Sequence, residues 1–99
     1  MNIEILEAIL NIQNNGATAA LATLCSTRGS TPRKAGAKML VYPNGKIIGT
    51  VGGGQLEYLA VQKAQDVIKT RKPVLIKRDL ADEGMICGGS GTIYIEFIS

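Results

Sequence analysis

The period of the apolar positions changes several times along the chain, and each change marks an element. From Asn2 to Asn14, Ile5, Ile9 and Ile12 together with Leu6 and Leu10 make a broad apolar stripe at helical spacing. Asn14-Asn15-Gly16 ends it with residues that tolerate a left-handed backbone. Ala19 to Thr27 is small and apolar on both alternating faces, as in a central strand buried on both sides. That reading places Cys25 inside the strand as a small buried hydrophobe. Lys38 to Tyr42 and Lys46 to Val51 are two β-type runs around Pro43-Asn44-Gly45, a hairpin turn. From Gln55 to Thr70, Leu56, Leu59, Ala60, Ala64, Val67 and Ile68 line one helical face, and Pro73 marks the break after it. Val74 to Lys77 reads as a short strand. Thr92 to Ile98 alternates Ile93, Ile95 and Phe97 against Tyr94 and Glu96, a half-buried terminal strand.

Three stretches interrupt these patterns, and they carry the candidate chemistry. Gly52-Gly53-Gly54 lies between the second hairpin strand and the long helix. Fixing three consecutive glycines costs backbone entropy, which suggests positive φ or a close approach to the main chain. Two readings stand: an amide cradle for an anion at a helix start, or a tight turn with no ligand. Glu57 falls in the first turn of that helix, where a carboxylate caps favourably and would also oppose a phosphate bound close by. Arg28 to Lys38 combines two glycines, a proline, two hydroxyls and four cations, a set able to bind phosphate oxygens or to stand as a solvated loop. The hairpin brings its two outer ends together, so this basic loop and the glycine run should line one mouth. In the third stretch, Asp79 to Gly91, Cys87 precedes two glycines, either as an accessible thiol beside free amides or as a cysteine packed against strand ends.

Composition narrows the classes. Ninety-nine residues suit one domain over 1–99. No stretch approaches the ~20 apolar residues of a membrane span, and Met1-Asn2-Ile3-Glu4 lacks a basic leader, so the cytoplasm is the expected location and no membrane partner is expected. With no histidine and only two cysteines, a zinc or iron–sulfur site and histidine-based nucleophilic catalysis are not expected. A net charge of +3 with few aromatics argues against nucleic-acid binding but leaves small anions attractive.

Thr27-Arg28-Gly29-Ser30-Thr31-Pro32-Arg33, Gly36-Ala37-Lys38-Met39, Gly49-Thr50-Val51-Gly52-Gly53-Gly54-Gln55-Leu56-Glu57 and Met85-Ile86-Cys87-Gly88-Gly89, in this order, closely resemble the N-terminal domain of the XdhC/CoxI family. The resemblance runs from about Leu21 to Glu96. It implies an accessory protein that binds the molybdenum cofactor, a phosphorylated molybdopterin, and delivers it to a xanthine-dehydrogenase-type molybdenum hydroxylase. A cysteine desulfurase would supply the sulfido ligand before insertion. Residue by residue, it implies that Arg28, Ser30, Arg33 and Lys38 meet phosphate or molybdate oxygens, with Thr31 and Gln55 in the same binding set. Gly52, Gly53 and Gly54 would be the amide cradle, and Cys87 a molybdenum contact or a carrier of sulfur in transit. Some members have a cysteine where this chain has Gln55, so a mechanism needing that thiol is not expected here. Longer members add a Rossmann-type domain that is not expected within 1–99, which implies a homodimer, a separately encoded partner or a simpler carrier.

The expected fold is α+β in two layers, a mainly antiparallel or mixed sheet of about five strands covered by two helices. The leading function is a cofactor carrier and insertion factor, with no turnover required. The alternatives are a sulfur-transfer factor using Cys87 and a ligand-free module that docks on the hydroxylase.

Overall fold

The computed structural model describes residues 2–28, 35–79 and 90–99. Helix α1 spans Ile3–Asn15. The Asn2 side chain accepts the Glu4 N–H at 2.7 Å, and Gly16 closes the other end at φ 68°. Strand β1 (Ala19–Arg28) follows, then β2 (Lys38–Val41) and β3 (Ile47–Gly49) around the Pro43-Asn44-Gly45 turn. Helix α2 runs Gly54–Thr70, β4 Val74–Asp79 and β5 Ser90–Ile98. The order of elements is as expected, with β3 confined to three residues where Lys46 to Val51 was expected, β4 two residues longer at its end and β5 two longer at its start.

All five strands form one antiparallel sheet in the order β3-β2-β1-β5-β4. The α+β class, the five strands and the two helices are as expected. The helices take opposite faces, so the sheet is the middle of three layers where two were expected. Ala20, Ala22 and Leu24 of β1 pack with Met39, Val41, Ile93 and Ile95 beneath Leu56, Ala60, Ala64 and Val67 of α2. Ala19 and Leu21, one residue out of phase, pack with Leu40 beneath Ile5, Ala8 and Ile12 of α1. A strand buried on both sides requires a cover on each, and alternation along β1 divides its side chains between the two.

Two expectations change. The stripe on α1 is narrower than the sequence suggests: Ile5, Ala8 and Ile12 are buried, whereas Leu6 and Leu10 are exposed on the other side of the helix. Cys25 is exposed instead of buried. The β1–β5 register shifts between Leu24 and Ser26, a bulge that leaves one residue without a partner and breaks the strict alternation on which the buried assignment rested.

Candidate functional site

The strand registers gather the interrupted stretches at one end of the sheet. Arg28 pairs with Ser90, and Ser90 with Asp79, so β1, β5 and β4 reach that end together. Arg28 and Asp79 therefore flank Ser90 on neighbouring strands. Strand β2 starts lower, with Lys38 opposite Thr23, and Gly49 at the end of β3 lies opposite Met39. Gly36 and Ala37 continue the ladder, the Gly36 N–H donating to the Leu24 carbonyl at 2.6 Å and the Leu24 N–H to the Ala37 carbonyl at 2.9 Å.

A cavity of about 420 Å³ opens at this end, lined by Asn2, Ile5, Gly36, Ala37, Lys38, Gly49 and Thr50. The hairpin thus does what its turn predicts: its first residue and its last close the same cavity. Close approach explains Gly49. At φ 84°, a Cβ here would sit 2.5 Å from the Lys38 carbonyl oxygen and 3.0 Å from the Ile5 side chain. Lys38 is half-buried, and its ammonium donates to Thr23 Oγ1 at 3.1 Å, which fixes the cation at the cavity wall.

Beyond Val51 the backbone turns left-handed, with φ of 129°, 77° and 62° at Gly52, Gly53 and Gly54. Such values strain any residue with a Cβ, which accounts for the triple glycine. Two amides of the run are held by neighbouring side chains. The Gly52 N–H donates to Thr50 Oγ1 at 3.0 Å, the Gly53 N–H donates to Glu57 Oε1 at 3.3 Å, and the Thr50 hydroxyl donates to the same carboxylate oxygen. The Glu57 carboxylate therefore occupies the positive end of α2, where its charge is favoured by the helix dipole.

Of the residues singled out in the sequence, Lys38 lines the cavity, Gly52, Gly53 and Gly54 lie past Val51 and do not line it, and Gln55 is exposed on the first turn of α2. The backbone of Arg28 ends β1 beside Ser90. Ser30, Thr31, Arg33 and Cys87 lie outside the described residues. Asn2, Ile5, Gly36, Ala37, Gly49 and Thr50 line the cavity without having been candidate site residues. The spacing of Thr50 to Glu57 across a glycine run is the sequence feature from which the closed polar network could have been read. Among the described residues, no three acidic, histidine or cysteine side chains are grouped to hold a metal, and no helix is long and apolar enough to cross a membrane.

Comparison with known proteins gives concordant matches. The model of the XdhC and CoxI family matches residues 12–79. The chain is 39% identical over 100 residues to the uncharacterized protein YqeB of Escherichia coli (strain K12), covering 96% of this chain and 18% of that protein. It is 35% identical over 95 residues to a protein of Bacillus subtilis (strain 168) described as a probable xanthine dehydrogenase subunit, covering 91% of this chain and 28% of that one. A crystal structure described as a xanthine dehydrogenase from Bacillus halodurans superposes with a TM-score of 0.81 at 28% identity, over 94% of this chain and 30% of that chain. This chain thus spans less than a third of the length of these relatives.

Proposed function

This chain belongs to the XdhC and CoxI family, and on that premise we propose that it carries the molybdenum cofactor and assists its sulfuration and insertion into a xanthine-dehydrogenase-type molybdenum hydroxylase. The observation that carries the reading is the cavity at which Lys38 and Gly49-Thr50 meet, at the end of the sheet where the basic segment also emerges. A phosphorylated pterin is cargo suited to such a place. The Lys38 ammonium supplies a fixed cation, and Arg28, Ser30, Thr31 and Arg33 supply further donors to phosphate or molybdate oxygens.

The glycine amides join only on a condition. Of the set Gly52, Gly53, Gly54 and Gln55, the Gly52 N–H is held by Thr50 and the Gly53 N–H by Glu57, so an anion at those two amides requires the hydroxyl and the carboxylate to turn away. With Glu57 in place, the cationic residues do the holding. Cys87 is the residue proposed to contact molybdenum or carry sulfur from a cysteine desulfurase, because its segment is anchored at Asp79 and Ser90, across from Arg28.

Isothermal titration of the purified chain with molybdopterin tests this reading. Binding that falls by about tenfold or more on Arg33→Ala, the loss of one charge-assisted contact, supports it. No binding by the parent chain overturns it. Sulfur transfer is separable: Cys87→Ala should leave titration unchanged and abolish sulfido-dependent activation of the hydroxylase, and equal activation by both chains refutes the role of Cys87. The engaged glycine amides favour one other reading, a module that docks on the hydroxylase without cargo. Capture of the hydroxylase together with absent cofactor binding selects it.

A further inference from the structure

The sheet has two edges, and they are finished differently. Strand β3 is three residues long, ends at left-handed Gly49 and lies against α1. Strand β4 is six residues long and pairs with β5 alone among the described residues, so alternate N–H and C=O groups along it face outward without a strand to receive them. Beside it runs a groove of about 320 Å³ lined by Lys63 of α2 and by Val74, Leu75, Ile76 and Lys77. Val74 and Ile76 pack inward beneath α2. Leu75 is 58% exposed and its cross-strand partner Tyr94 37% exposed, so apolar surface lies open on the other face too.

The charge around this edge is one-sided. Lys63 and Lys77 line the groove, and Lys69, Arg71 and Lys72 stand exposed at the end of α2 and before β4; from position 63 to the end of β4 the chain has six cationic residues against two acidic ones, Asp66 and Asp79. Lysines on an edge strand discourage pairing with a copy that carries the same charge, and they favour a strand of opposite charge. Lipid or nucleic acid would meet the cations but would leave the outward backbone groups of β4 to water.

We propose that the β4 edge is a docking site for an extended acidic segment of a partner polypeptide, which adds as a sixth strand beside Val74–Asp79. Main-chain hydrogen bonds to β4 supply the affinity. Glutamate or aspartate side chains beside Lys63 and Lys77, with apolar side chains against Leu75, supply the selectivity. This surface is separate from the cavity at Lys38 and does not rest on the cofactor reading.

The test uses the full chain and three short synthetic peptides: one alternating valine and glutamate, one alternating valine and lysine, and one with the first composition but a central proline. Binding is read by titration, and its place by amide hydrogen exchange. The expected result is that the glutamate peptide binds at least about tenfold more tightly than either of the others, as two screened ion pairs and an intact ladder require. Binding should also slow exchange at alternate amides of β4. The double variant Lys63→Glu, Lys77→Glu, at exposed positions that leave the core intact, should reverse the preference toward the lysine peptide. The proposal is overturned by absence of peptide binding, by binding that leaves the β4 amides unprotected, by equal affinity for the proline peptide, or by an unchanged preference in the double variant. Binding to vesicles of anionic phospholipid in place of the peptides overturns it in favour of a membrane surface.

Discussion

The two helices begin in opposite ways. Helix α1 starts with a conventional cap, in which the Asn2 side chain takes the Glu4 N–H and the backbone before it is extended. Helix α2 starts from Gly53 at φ 77° and ψ −172° with no side chain of the capping residue involved. Its donors are instead met from further away, by Thr50 before the run and Glu57 after it. The first arrangement needs one polar residue and any backbone. The second needs glycine at each left-handed position, because the chain leaves β3 at Gly49 and must turn into a helix packed on the sheet within a few residues. Left-handed backbone is therefore concentrated where β3 gives way to α2, at a point that also touches α1 through Ile5.

Substitutions at these two starts should separate by size. The largest effect belongs to Gly49→Ala. Its Cβ would meet a backbone oxygen at 2.5 Å in a conformation already unfavourable for alanine, and the cost is roughly 3 kcal/mol or more. Urea unfolding should place its midpoint far below the parent, and an unchanged midpoint would mean that the hairpin ends do not close on one another as described. Next comes Glu57→Ala, which removes the acceptor shared by Thr50 and Gly53 and costs about 2 kcal/mol for this half-buried carboxylate. The same variant should bind inorganic phosphate more tightly if an anion competes with Glu57 for the Gly53 N–H, and unchanged phosphate affinity refutes that competition. The smallest effect is that of Asn2→Ala, about 1 kcal/mol as for other exposed caps. An Asn2→Ala loss equal to that of Gly49→Ala would erase the difference between the two starts.

The local half of this picture is legible residue by residue. Asn2 and Gly16 bracket α1, Pro43-Asn44-Gly45 makes the hairpin, and three glycines in a row announce left-handed backbone, because each depends on the conformational limits of a few adjacent residues. The meeting of Lys38 with Gly49 and Thr50 follows from the same hairpin. Cys25 was not legible in this way. A one-residue slip against β5 reverses which face a side chain takes, and nothing in the Leu24-Cys25-Ser26 triplet reports the partner strand. The exposed Leu6 and Leu10 were equally hidden, since a helix with apolar residues over much of its surface does not say which part meets the sheet.

The sequence by itself determined the elements of this protein, their caps, its place in the family by resemblance and the conformations its glycines must adopt, because those follow from short-range sterics and spacing. Only the tertiary structure decided that α1 and α2 lie on opposite faces, that β5 inserts between β1 and β4, and that β4 is left as a long basic edge. It also decided that Glu57 takes the Gly53 N–H and Thr50 the Gly52 N–H. The reason is physical: each of these outcomes depends on pairing between residues distant along the chain or on a side chain reaching across a turn, and such contacts are selected by burial and hydrogen bonding of the assembled whole.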